Sequence, residues 1–368
     1  MKYIQEFRQP ELARQLAEAI AQLAHPDRHY RLMEFCGGHT HAIFRYGITD
    51  LLPANVEFIH GPGCPVCVLP VSRIDQAIEL VQAHQVILCT YADLVRVPAS
   101  DQQSLLKLKA AGGDVRLLQS SQQAVQIAQE NPERQVVFMA IGFETTTPAT
   151  AVALEQAQAL NLQNFSILCN HVLTPAAMTA LLASPEPLQL DGFLGPSHVS
   201  TIIGSLPYQS IAESYAKPIV IAGFEPLDVL QSVWMLLKQL NAGEHRVENQ
   251  YSRAVTPQGN RKAQAWMARF FEVRARFEWR GLGEIPESAL KLKAEYSRFD
   301  AEQRFSIPVR HTPDVKGCEC PAILRGIKKP QDCRLLGKLC TPENPVGSCM
   351  VSSEGACAAY WRYRRSRT

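Results

Sequence analysis

Between about Val56 and Phe224, short apolar runs alternate with stretches whose apolar residues recur at helical spacing, and this alternation constrains the fold more than any other feature. The candidate strands are Val56 to His60, Val86 to Thr90, Asp114 to Leu118, Val136 to Ile141, Phe165 to Cys169, Gly192 to Leu194 and Ile219 to Ala222. Helical spacing lies between them, as in Ile74, Ala77, Ile78 and Val81, or Val125, Ile127 and Ala128. Strand, helix and strand in this rhythm build a parallel sheet covered by helices, so an α/β class is expected. Ser72 with Asp75 reads as a capping box, and Thr147 with Pro148 as N-cap and first helical residue.

The chain has 368 residues, enough for two or three domains of about 100–200 residues each. Hydrophobic residues at 46% and charged residues at 20% exclude a disordered or fibrous chain. A net charge of +2 gives no electrostatic case for nucleic acid, and the basic cluster Arg362 to Arg367 reads as a solvated end. No apolar run reaches the roughly 18 residues of a membrane span, and Met1 to Ala24 reads as an amphipathic helix, not a signal peptide. A cytoplasmic location is expected. Eleven cysteines in a reducing compartment point to metal or redox chemistry, and six of them fall between Cys318 and Cys357.

A faint internal echo joins Gly142-Phe143-Glu144 to Gly223-Phe224-Glu225, each after an apolar strand, which suggests two similar α/β halves. After about Ala242 the pattern becomes polar helices rich in Arg and aromatics. From Ile307 onward Pro, Gly and Cys dominate, and a tail this poor in aliphatic residues needs something else to hold it, which a metal centre can supply. The gaps from Cys320 through Cys333, Cys340 and Cys349 to Cys357 are 12, 6, 8 and 7 residues. They match neither a bacterial ferredoxin nor a paired CxxC zinc ribbon, so spacing leaves iron-sulfur and zinc both open.

Three further motifs carry chemistry. Cys36-Gly37-Gly38-His39-Thr40-His41 sets one thiol and two imidazoles on a glycine-loosened turn, suited to ferrous iron or zinc; the alternative is a buried Cys beside a capping Thr40 and two surface histidines. Gly61-Pro62-Gly63-Cys64-Pro65-Val66-Cys67 follows a strand directly, and redox use of this CxxC is favoured over zinc. Gly142 to Pro148 joins strand to helix, where Glu144, Thr145 and Thr146 either touch a small polar ligand or merely cap the helix. His171 and His198 follow strand ends, where open α/β sheets place ligands. Cys89 and Cys169 read as core residues.

Together with Gly195 to Ser200, Ala222 to Pro226 and the tail segments Cys340 to Gly347 and Met350 to Cys357, these motifs resemble the HypD family of nickel-iron hydrogenase maturation proteins, from about residue 30 to 363. The resemblance implies two related parallel-sheet α/β domains plus a C-terminal helical, Cys-rich iron-sulfur domain. The corresponding divisions are an N-terminal helix over 1–29 packing on the C-terminal domain, domain I over 30–130, domain II over 131–245 and the cluster domain over 246–368. It also implies a 4Fe-4S cluster and a scaffold role. An iron carrying two cyanides and one carbon monoxide would be built on the protein before transfer to the hydrogenase large subunit. The implied partners are a HypC-type chaperone and a HypE-type cyanide donor. Carried over, Cys36 is the iron ligand with His39 and His41 beside it, and Cys64 and Cys67 are the redox pair. Glu225 joins the possible ligand contacts.

For the cluster, Cys320, Cys333, Cys340 and Cys357 are the expected ligands. Cys318-x-Cys320 can scarcely supply two corners of one cubane, and Cys349 precedes the apolar pair Met350-Val351. A cluster-dependent disulfide reductase would leave Cys36, His39 and His41 without a role. A zinc-stabilised binding protein explains the tail alone.

Overall fold

A computed structural model describes residues 4–185, 188–307 and 312–364, with Arg364 by its backbone only. Residues 365–367 of the basic run Arg362 to Arg367 therefore lie outside the described residues. Among the described residues, eleven strands form three sheets. Sheet A joins β1 (Tyr30–Glu34), β2 (Val56–His60), β7 (Gly192–Gly195), β8 (Ile219–Ile221) and β9 (Val247–Asn249) in the order β2-β1-β7-β8-β9, all parallel. Sheet B joins β3 (Ile87–Tyr91), β4 (Val115–Leu118), β5 (Val136–Gly142) and β6 (Phe165–His171) in the order β4-β3-β5-β6, again all parallel. Every residue of β5 and β6 is buried, as expected for strands covered by helices on both faces. Strands β10 (Phe271–Trp279) and β11 (Gly283–Leu292) form an antiparallel hairpin with a bulge between Arg274 and Arg276.

All seven expected strands are present, within two residues at either end. The chain does not, however, divide into consecutive halves. Sheet A takes strands from residues 30–60 and 192–249, and sheet B is threaded between them, so the boundary expected at 130 cuts sheet B. Four strands of A and the four of B share one order, with the chain crossing over between the two central strands. The echo falls at non-equivalent places: Gly142 to Glu144 follows a central strand of B, and Gly223 to Glu225 follows an outer strand of that set in A.

The strands that escaped expectation are those whose polarity breaks the pattern. β1 carries Arg31 and a fully buried Glu34 within five residues. The hairpin lies in the stretch expected to be helical, and its alternation is obscured by Arg274 and Arg276. It packs on β6, where the Cys169 thiol donates to the Leu290 carbonyl at 3.3 Å, consistent with Cys169 as a core residue.

Helix α1 (Pro10–Leu23) packs on the helix Pro226–Ala242 of the sheet A unit, not on the C-terminal segment. The apolar stripe of Ala13, Leu16 and Ile20 meets that unit's core, and Arg8 pairs with Glu225 outside it. Helix α2 (Gly37–Tyr46) starts right after Cys36, and α3 (Pro65–Val68) is a single turn capped by Cys64. Helix α4 (Val71–His84) begins after Pro70, so Ser72 is inside it and Asp75 instead accepts from the backbone and hydroxyl of Ser100 at 2.9 and 2.6 Å. Thr146, not Thr147, occupies the N-cap before Pro148. No helix among the described residues is long and apolar enough to cross a membrane.

Candidate functional site

The loops at the carboxyl ends of sheet A build the site. The chain leaves β1 outward to β2 on one side, and β7 outward to β8 on the other, so a crevice opens between the loops after β1 and β7. Cys36 comes from the first loop and His198 from the second, with Cys36 Sγ 3.9 Å from His198 Nδ1. Glycines allow the close packing here: a Cβ on Gly63 would sit 2.5 Å from the Cys36 nitrogen, and one on Gly38 would strike the Phe224 ring. His198 lies over that ring at 4.2 Å between centroids.

Beneath Cys36 sits a fully buried carboxylate. Glu34 accepts from the Cys36 N–H at 3.1 Å and from the Thr40 hydroxyl, and its Oε1 lies 2.9 Å from His60 Nδ1. Burial raises its pKa, with His60 and Thr40 opposing. The Cys36 thiol is pushed up to about 12, first by burial and then by Glu354, which lies against Gly37. An uncharged, protonated thiol is therefore its resting form, and a bound cation is what would draw the proton off.

The two flanking histidines differ. His39 is buried, with Nε2 3.0 Å from both the Ala222 carbonyl and Ser197 Oγ, and Nδ1 has no partner. Burial drives its pKa down to about 4, so it is neutral. His41 faces the other way, 2.8 Å from Tyr363 Oη on the C-terminal helix Ala356–Arg364. The structure thus brings His39 and His198 to the Cys36 loop and turns His41 to the helix interface.

Cys64 and Cys67 are joined as a disulfide, Cα to Cα 5.2 Å, across the single turn α3. Its loop touches both neighbours. The Gly37 N–H donates to the Gly63 carbonyl at 3.0 Å on the Cys36 side. On the other side the Ser348 hydroxyl donates to the Cys67 carbonyl at 2.8 Å, one residue before Cys349.

The six tail cysteines gather next to that contact. A Cβ on Gly347 would collide with the sulfurs of both Cys318 and Cys320, so glycine leaves a cradle between them. The Cys320 thiol is close enough to those of Cys318, Cys349 and Cys357 for their interactions to shift its acidity, and the Val346 N–H donates to Cys340 Sγ at 3.4 Å. Cys318 is held below the ordinary thiol value by its bond with Cys320, against burial and with help from the buried guanidinium of Arg280. Among the described residues no group of three or more His, Cys, Asp or Glu side chains holds the geometry of a single-ion site. The donor chemistry and the Gly347 cradle nevertheless fit a thiolate-bound cluster. Cys318 and Cys349 belong to the same nest as Cys320 and Cys357, which spacing did not reveal.

The remaining candidates lie elsewhere. Glu144 is buried at the carboxyl end of β5, accepts from the Thr174 N–H and hydroxyl at 2.9 and 3.0 Å, and is pushed up to about 7 by burial. Thr146 donates its hydroxyl to the Ile141 and Phe143 carbonyls and makes no side-chain cap bond to its helix; Thr145 beside it is half-buried. His171 lies 2.9 Å from Thr150 Oγ1 inside the sheet B unit. Glu225 caps its own helix and pairs with Arg8. Glu34, Glu354, Arg280 and Gly347 were not anticipated; the one signal for Glu34 is a carboxylate placed in an apolar strand two residues before Cys36.

With two parallel sheets, a buried thiol, a disulfide turn and a nest of cysteines, the chain is a cysteine-rich α/β protein whose thiols converge on one region. The chain belongs to the HypD family, whose model, described as "Hydrogenase formation hypA family", matches residues 11–364. It is 62% identical to the hydrogenase expression/formation protein HupD of Azotobacter chroococcum mcd 1 and 62% identical to the hydrogenase maturation factor HypD of Azotobacter vinelandii. Each alignment spans all of this chain and 98% of the relative. The HypD of Escherichia coli K12 is 48% identical over the full length of both chains.

Proposed function

We propose that this chain works in hydrogenase maturation as the cytoplasmic scaffold on which the iron centre of nickel-iron hydrogenase, carrying two cyanides and one carbon monoxide, is assembled before delivery to the large subunit. Cys36 receives the iron: its thiol is soft, poised at a crevice and protonated until a cation arrives. Glu34 fixes the Cys36 backbone, while His39 and His198 wall the crevice. The iron comes with a HypC-type chaperone and the cyanide from a HypE-type donor.

The tail holds a 4Fe-4S cluster. We assign Cys320, Cys333, Cys340 and Cys357 to it, with Cys318 competing for the corner of Cys320 because their sulfurs flank Gly347 together. When bound, the cluster supplies one electron at a time. The Cys64–Cys67 turn stands between cluster and crevice and holds two electrons as a pair of thiols. The observation that supports this reading best is the continuous line of contacts from Cys36 through Gly63 and Cys67 to Ser348 and Cys349. A disulfide reductase would need only the second half of that line.

The test is six single Cys→Ala variants of the tail compared for iron content and for absorbance near about 400 nm, the region of thiolate-to-iron transitions. Loss of colour with Cys320, Cys333, Cys340 or Cys357 is expected. Loss with Cys318 and retention with Cys320 moves that corner, and a colourless native protein overturns the cluster.

A further inference from the structure

The disulfide of Cys64 and Cys67 needs two electrons and two protons for each opening: the S–S bond breaks and two S–H bonds form. Those electrons enter from outside the chain, and an apolar approach close to the cysteine nest lies on the described surface. A groove of about 330 Å³ lies between residues 96–107 and the cysteine-rich segment. Leu106, Val315, Pro345 and Val346 form its apolar part, with Arg96 and Lys107 at the rim.

The tail residues that line it lie three or four positions along the chain from the nearest cysteine. The Val346 N–H donates to Cys340 Sγ, Gly347 lies against Cys318 and Cys320, and the Cys318 N–H donates to the Val315 carbonyl at 3.2 Å. Arg96 ties the groove together, donating to the Pro342 and Val351 carbonyls at 2.9 and 3.4 Å. Leu106 and Val315 are 46% and 42% exposed, so apolar surface is presented to solvent at this point. Arg96 and Lys107 outnumber the single lining carboxylate, Glu343, and Lys316 beside the lining residue Val315 is exposed.

We propose that this groove docks an acidic one-electron carrier protein of the ferredoxin class. An apolar centre with Arg96 and Lys107 on its rim suits a transient partner whose acidic rim surrounds its own redox centre: the charges steer encounter, and the small apolar contact lets the spent carrier leave. Two carrier molecules are oxidised for each disulfide opened, and the two protons come from water. The inference rests on the cluster proposed above, through which the electrons pass.

The test uses the full-length protein, purified anaerobically, and an acidic [2Fe-2S] ferredoxin reduced with dithionite and freed of the excess. Association is measured by calorimetry at low and high salt, and opening of the disulfide by mass after alkylation. Native protein should bind with an affinity that falls as salt rises. Joint reversal of Lys107→Glu and Lys316→Glu should weaken binding about tenfold or more at low salt and slow disulfide opening by ferredoxin. Lys262→Glu, outside the groove, should bind like native, and dithiothreitol should open the disulfide equally in all three. Unchanged binding after the double reversal, native binding that ignores salt, or equal weakening by Lys262→Glu overturns the docking surface. Absent iron-sulfur absorbance with the expected binding pattern would overturn the electron route and leave the surface standing.

Discussion

Cys36 is a thiol kept protonated by its surroundings, and that makes its acidity a direct probe of the site. Removing the Glu354 charge should let the thiolate form more readily, because Glu354 is the largest electrostatic contribution holding the thiol up after burial. Glu354→Gln should therefore raise the rate of iodoacetamide labelling at Cys36 several-fold, about threefold, near pH 8. A slower rate would place the carboxylate in another role. His171 offers a second probe, distant from any thiol of the crevice. Burial holds its pKa down at about 4, against about 6.5 in an unfolded chain, so the unfolded state takes up the proton first as pH falls. Its contribution to stability is complete above about pH 6.5 and is lost as pH falls toward 4. The stability of native protein relative to His171→Asn should be lower at about pH 5 than at about pH 7.5, by roughly 1–3 kcal/mol in urea titrations.

Short elements, not whole domains, carry the cysteines into place. Gly347→Ala should cost cluster iron while leaving α2 and the Cys64–Cys67 turn intact, since an added Cβ collides with the Cys318 and Cys320 sulfurs. Iron analysis with far-ultraviolet circular dichroism checks this, and full iron retention would refute the cradle. The hairpin β10–β11 is anchored differently. Glu302 is held at about 2 because Arg73 and Arg274 outweigh the burial that opposes its ionisation. Arg73 also donates to Asn170 and the Cys169 carbonyl of β6, so Arg73→Met should destabilise the protein by about 3 kcal/mol in denaturant melts. At this scale the sequence was legible wherever one periodicity ran undisturbed. The seven apolar strands and the strand-to-loop placement of Cys64 and Glu144 could be read directly. Strand β1 could not, because Glu34 looks like a surface residue until its partners Thr40, His60 and the Cys36 N–H arrive from other segments. Nor could the nest of Cys318 with Cys349, which are neighbours only through the fold.

In the whole molecule, sheet B is inserted between the first two and last three strands of sheet A, and the tail returns to pack against both the Cys36 helix and the disulfide turn. That return path cannot be inferred from local patterning, yet it is what lets one chain join the Cys36 thiol to a cysteine nest. The most direct measurement is infrared spectroscopy of anaerobically purified protein co-produced with HypC- and HypE-type partners, for native chain and Cys36→Ser. Bands of bound cyanide and carbon monoxide should appear in the native protein and vanish in Cys36→Ser, while tail iron stays constant. Bands that persist in Cys36→Ser would contradict iron assembly at Cys36.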